Sequence, residues 1–254
     1  MSRKNFLAVF CFGMLFLGVL WEWNVYENIR EEAIKVSGKI DLTKQLKEKK
    51  VAYLTFDDGP SFLTKEVVEI LKKENIQATF FLIGSQIMEE EEELLKRMVE
   101  DGHLLGIHTY THKSNEIYRS ADSYIEDAKK TAERIYEVTG EWPKIYRFPW
   151  GSKNCYVSSI CDAIIEKMEK EGYEYFDWNV SAEDSVGTPT KASILKNIKK
   201  DFDKYDEPII LMHDSAINKA TVEALPSIIE MLKEEGYSFG TLDEMSKPYH
   251  YPRR

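Results

Sequence analysis

Asp57 and Asp58 stand side by side at the end of a β-rich run, residues 53–56, and a Gly-Pro turn follows at once. Two like charges held at a strand end repel, so the pair calls for a compensating cation or for the turn chemistry that Asp-Gly-Pro also serves. Further on, in "GIHTYTH", His108 and His112 stand four residues apart, and a helical turn there would aim both imidazoles the same way. Thr109 occupies the place that a general-base Glu takes in the H-E-x-x-H of zinc proteases. A metal site on these histidines must therefore draw a third ligand and a base from elsewhere, and the aspartate pair offers one of each. A divalent cation held by two imidazoles and a carboxylate keeps positions open for water and substrate, and its charge lets a second carboxylate stay ionised. Successive residues leaving a strand diverge, so one aspartate can coordinate while the other acts as base. Without the histidines the turn reading would be preferred.

Arg147 in "YRFPWG", Asp184 in "SAEDS" and His213 in "IILMHD" fall in comparable places. Runs of β-formers at residues 51–56, 78–83, 104–107, 145–148, 173–177, 209–212 and 237–242 alternate with helical periodicity at 64–74, 121–138 and 190–205, with Ser120 and Thr190 as N-caps. Strict alternation predicts an α/β fold with a parallel sheet, and seven such units approach a closed barrel. The unusual polar residues all lie at or beyond the carboxyl ends of these runs, where parallel α/β folds build their sites. The acidic run at 89–93 reads as a solvated helix start.

The chain has 254 residues, 43% of them hydrophobic, enough for a substantial core. Its net charge of -10 is the reverse of the basic footprint that nucleic-acid binding needs, so nucleic acid is excluded as a partner. Arg3 and Lys4 precede an uncharged apolar run at residues 6–21, with Trp21 and Trp23 at its end. This reads as an N-terminal hydrophobic helix, an uncleaved membrane anchor in preference to a cleaved signal, with the rest of the chain extracytoplasmic. The expected organisation is an anchor or signal at 1–26, a charged linker at 27–49, a catalytic domain at 50–247 and a frayed tail at 248–254 carrying an exposed His250. Cys155 and Cys161 are open to a disulfide or to two free thiols, and His103 is read as a structural, hydrogen-bonded histidine.

"TFDDG" (55–59), "HTYTH" (108–112), "RFPWG" (147–151), "SAEDS" (181–185) and "LMH" (211–213) resemble, in order and spacing, the five motifs of NodB-type polysaccharide deacetylases, carbohydrate esterase family 4. The resemblance covers roughly residues 50–245. It implies a distorted (β/α) barrel of about seven strands. It further implies Asp58, His108 and His112 as metal ligands, Asp57 as base, His213 as acid, Arg147 as the partner of Asp57 and Asp184 as the partner of His213. The metal it implies is zinc, with cobalt, nickel or manganese as alternatives. A backbone N–H near Trp150 would share the oxyanion, and Trp150 and Leu211 would contact substrate. Two positions depart from the family pattern: Ser185 replaces an aromatic that walls the acetyl pocket and Ser181 an acidic residue, leaving Trp150 or Trp178 to fill the gap.

The expected function is metal-dependent removal of N-acetyl groups from a cell-envelope polysaccharide. Peptidoglycan is the preferred substrate, because an anchored enzyme meets it first. Chitin-like or O-acetylated glycans are the alternatives. A non-catalytic glycan-binding wall protein is disfavoured because Asp57 and His213 are both retained, and a ferrous oxygenase built on the same two histidines and carboxylate is disfavoured by the second aspartate.

Overall fold

The computed structural model describes residues 28–36 and 50–252. Residues 28–36 form a short helix, α1, within the expected linker. The apolar run at 6–21 lies outside the described residues, and among those described no helix is long and apolar enough to cross a membrane.

From Lys50 onward the chain forms one unit built on its first strand. β1 (Val51–Gly59) is buried along most of its length, because Ala52, Leu54 and Phe56 on one face and Tyr53 and Thr55 on the other all have neighbours to pack against. Around it lie β2 (Thr79–Leu82), β3 (Leu104–Ile107), β4 (Ile145–Tyr146), β5 (Glu174–Tyr175), β6 (Val180–Ser181) and β7 (Ile209–His213), in the order β5-β4-β3-β2-β1-β7-β6. Every one of these pairings is parallel. β8 (Ser238–Phe239) pairs only with the start of β1 and lies off this path. The seven-strand sheet is thus the predicted one with one exchange of members. β6, two residues long, is too short to show a period in sequence, whereas the run at 237–242 supplies β8 and not a barrel stave.

The outermost strands β5 and β6 are consecutive in the chain and do not pair among the described residues. The four residues 176–179 that join them can span at most about 18 Å, so the sheet must curl to bring its two edges within that reach. The helices α2 (Phe62–Glu74), α3 (Glu92–Glu100), α4 (Ser114–Ile117), α5 (Ala121–Thr139), α6 (Cys161–Lys170), α7 (Lys191–Asp201) and α8 (Lys219–Glu234) surround it. Ser61 caps α2 in a reciprocal box with Thr64, and Ser120 and Thr190 cap α5 and α7 as their positions predict. The acidic run enters α3 through a 3-10 turn with Glu89 and Glu90 exposed and Glu91 half-buried. Val67, Leu71, Phe80, Met212, Leu225 and Ile228 join one continuous core, each such side chain stabilising the fold by about 1.5–3 kcal/mol.

Three smaller expectations can be compared with the structure. His103 is buried and accepts from the Ala78 amide at 3.1 Å, as a structural histidine would. Cys155 and Cys161 are not bridged to each other. Residues 249–251 of the expected tail do not fray: His250 stacks on Tyr175 at 3.7 Å, and the amides of Asp177 and Tyr251 bond residues across the segment. Its aromatic residues have a surface to bury against, the gap between β5 and β6, which sequence alone does not reveal.

Candidate active site

At the carboxyl end of β1 the two aspartates separate. Asp57 stays in the ladder, paired with Phe81 of β2 and His213 of β7, while the register slips between Asp57 and Gly59. Asp58 is the extra residue of that bulge, in the left-handed region at φ 70. The bulge resolves the repulsion of neighbouring carboxylates by aiming them apart. Gly59 is required next, because a Cβ there would lie 2.6 Å from the Asp214 carboxylate.

Asp58 Oδ1 lies 3.4 Å from His108 Nε2 and 3.3 Å from His112 Nε2. His108 Nδ1 is 3.0 Å from the Arg147 carbonyl; a carbonyl only accepts, so Nδ1 carries the proton and Nε2 offers a lone pair. Burial pushes His108 well below the ordinary histidine range, with the charges of His112 and Arg147 acting the same way. Burial lowers His112 as well, against the pull of Asp58. Asp58 Oδ1 is buried without a hydrogen-bond partner. Two lone pairs and an unpartnered carboxylate oxygen converging within 4.8 Å is the donor set of a divalent cation, and these residues fit one.

Behind Asp57 lies Arg147, fully buried. Its Nη1 donates to Asp57 Oδ1 at 2.9 Å and to Thr55 Oγ1 at 2.8 Å, its Nε donates to the Phe176 carbonyl at 3.0 Å, and its guanidinium lies 4.2 Å over the Phe81 ring. Burial nevertheless pushes Asp57 up to about 6, with Arg147 and His213 pulling the other way.

On the other side His213 Nδ1 donates to Asp184 Oδ1 at 2.8 Å, and Asp184 Oδ2 accepts from the His213 amide and the Thr221 hydroxyl. Burial disfavours the imidazolium, but the bond to Asp184 and the charges of Asp184, Asp57 and Asp58 outweigh it, raising His213 to about 9. Asp57, Asp58, His108, His112 and His213 thus line one cavity of about 450 Å³. Leu211 and Trp178 wall it, Trp150 stands 48% exposed with its ring 4.7 Å from that of His112, and Ser181, Glu183, Ser185 and Val186 also line it.

A profile of the polysaccharide deacetylase family matches residues 44–176. A peptidoglycan-N-acetylglucosamine deacetylase of Bacillus cereus is 36% identical over 211 residues, covering 81% of this chain and 73% of that protein. The chain belongs to the polysaccharide deacetylase family. It is accordingly an amide hydrolase of carbohydrate esterase family 4. Among solved structures, the catalytic domain of a peptidoglycan N-acetylglucosamine deacetylase from Eubacterium rectale aligns with the deacetylase at a TM-score of 0.74 and 31% identity, covering 80% of this chain and 93% of that one. A family 4 acetyl xylan esterase from Clostridium thermocellum, solved with a cobalt ion, aligns at a TM-score of 0.66 and 28% identity, covering 77% and 89%.

Several residues that hold the deacetylase's site together escape sequence reasoning. Asp127 Oδ1 accepts the amides of Tyr110 and Thr111, pinning the histidine loop to α5. It stands among Tyr124, Ala128 and Thr131 on the buried face of that helix, so an acidic residue at an apolar helical position was the available signal. Asp214 is fully buried beneath the aspartate turn, with Thr64 Oγ1 donating to its Oδ2 and its Oδ1 unpartnered. Burial pushes it up to about 7. Only its place directly after His213 marked it.

Proposed function

We propose that this deacetylase removes N-acetyl groups from amino sugars of a cell-envelope polysaccharide, with peptidoglycan N-acetylglucosamine as the preferred substrate. The observation that carries the reading is the placement of an Arg147-held Asp57 and an Asp184-held His213 on either side of the Asp58, His108 and His112 donor set.

In this reading Asp58, His108 and His112 hold a divalent cation, zinc by preference. Bound there, the cation supplies Lewis acidity that makes a water more acidic and a carbonyl more electrophilic. Asp57 takes the proton of the attacking water, and Arg147 fixes the carboxylate that receives it. The backbone N–H at Trp150 faces the oxygen that gains charge as the acetyl carbon becomes tetrahedral. His213 gives a proton to the amide nitrogen as the C–N bond breaks, because an amide nitrogen leaves as a neutral amine only when protonated. Water and amide become acetate and amine, and Asp184 keeps the imidazolium available at neutral pH. Leu211 and Trp178 offer an apolar wall for the acetyl methyl, and Trp150 a ring face for the sugar.

Among the described residues lining the cavity none is Lys or Arg, and Glu183 stands at its mouth. With His213 and the cation assigned to the reacting amide, no Lys or Arg is left to pair with a carboxylate on the sugar, which favours neutral N-acetylglucosamine over N-acetylmuramic acid. The apolar run at 6–21 supports anchorage to the outer face of the membrane, and fusion of residues 1–49 to a reporter tests this by membrane fractionation.

The deciding experiment is acetate release by the purified protein, with zinc or cobalt supplied, from peptidoglycan, chitin oligomers and acetylated xylan. Release from peptidoglycan above that from chitin oligomers and xylan establishes the reading; release from chitin oligomers or xylan alone overturns the substrate assignment.

A further inference from the structure

Where β5 and β6 fail to pair, the C-terminal segment takes the place of the missing ladder. The Asp177 amide donates to the Tyr249 carbonyl at 2.9 Å, and the Tyr251 amide donates to Asp177 Oδ2 at 2.9 Å. Between them His250 lies flat on Tyr175, its ring plane within 5°, and its Nε2 donates to the Tyr175 carbonyl at 3.0 Å. The segment therefore grips residues 175–177 through backbone, side chain and ring face together.

Those same residues support the active site from behind, through Arg147 and Ser152. The Phe176 and Asp177 carbonyls accept from Arg147 at 3.0 and 3.4 Å, and Arg147 holds Asp57. The Asp177 carboxylate also accepts the Ser152 amide at 2.9 Å and the Ser152 hydroxyl at 2.6 Å, tying down the turn that carries Trp150. The Tyr251 ring meets Trp178 edge-on at 5.4 Å. A Cβ on Gly151 would lie 2.9 Å from Trp178 and 3.2 Å from Tyr251, and Gly151 has φ +79, so three pieces of chain close on one another with no room for a side chain.

We propose that residues 249–251 are a positioning segment of the active site, in which the Tyr251 ring and the grip on Asp177 set Trp178 and Trp150 against the substrate sugar. This rests on the deacetylase reading for its kinetic consequence. The segment touches no reacting atom; it acts through the seam it closes. Loss of a substrate-facing wall falls on KM when ground state and transition state use it alike.

The test compares Tyr251→Ala, Tyr251→Phe and wild type by acetate release, circular dichroism and hydrogen exchange at the Ser152 and Asp177 amides. We expect Tyr251→Ala to keep its fold and to raise KM by about fivefold to tenfold with kcat within about twofold. We expect Tyr251→Phe to restore KM, since the ring makes the contact. Faster exchange at both amides should accompany the alanine variant alone. Unchanged KM in Tyr251→Ala would overturn the proposal, as would equal losses in the alanine and phenylalanine variants. Wild type that releases no acetate would sink the deacetylase reading instead. Exchange would then still decide the seam: unchanged protection at Ser152 in Tyr251→Ala removes the positioning role whatever the reaction.

Discussion

Asp57 and His213 are register partners on adjacent parallel strands, β1 and β7, so the carboxylate and the imidazole assigned to opposite ends of the reaction stand at neighbouring rungs of one ladder. Backbone hydrogen bonds fix their separation more rigidly than any loop could. Each is then held from the far side by its own partner, Arg147 or Asp184.

Asp57→Asn keeps the shape and the bond from Arg147 but removes the proton acceptor. Turnover should fall by roughly 10²–10⁴, the usual contribution of a positioned base, while zinc content by elemental analysis stays at the wild-type level. Retained turnover would remove Asp57 from that role.

The pH–rate profile should be bell-shaped. Activity rises as pH climbs through about 6, where Asp57 ionises, and falls as pH climbs through about 9, where His213 loses its proton. Asp184→Asn removes the charge that raises His213, so its basic limb should move to lower pH. A basic limb left in place would detach Asp184 from His213.

Asp127→Ala should weaken metal binding without touching a ligand. It frees the Tyr110 and Thr111 amides that hold the loop between His108 and His112, and loss of such an outer support costs about 10–100-fold in affinity. Competition with a chromogenic chelator measures it. His108→Ala, by contrast, should lose the metal outright.

Asp214 makes a separate claim about stability. Its folded value of about 7 lies above the ordinary carboxylate value near 4, so the folded state holds the extra proton. The associated stability is full below about pH 4 and is lost as pH rises through about 7. Asp214→Asn, neutral at every pH, should lack this loss, and its melting temperature relative to wild type should rise by on the order of 5 °C between pH 5 and pH 8. Parallel curves for the two proteins would show the carboxyl to be charged in the fold.

The alternation of strands and helices was legible because its segments are long and strongly patterned, and the clustering of unusual polar residues at strand ends was legible because the parallel arrangement brings those ends to one face. What was not legible depended on two-residue strands and on partners far apart in sequence. β6 has no room for a period, so the strand that leads to Asp184 is not visible in the sequence. The aromatic tail looked unstructured because the gap it fills is made by strands that do not pair. Asp127 and Asp214 carry faint signals at most, an acid at an apolar helical position and a place next to His213, and only the folded chain shows which backbone amides and hydroxyls surround them.

Six non-glycine residues among those described have left-handed backbones, and five of them, Asp58, Thr109, His112, Trp150 and Glu183, lie in the loops that shape the cavity. Each conformation costs energy that glycine would save, of order 1 kcal/mol or more. The site is therefore the part of the molecule with the most stability left to gain. A selection for heat resistance that ignored activity would be drawn to these positions first, and each gain there would be taken from catalysis.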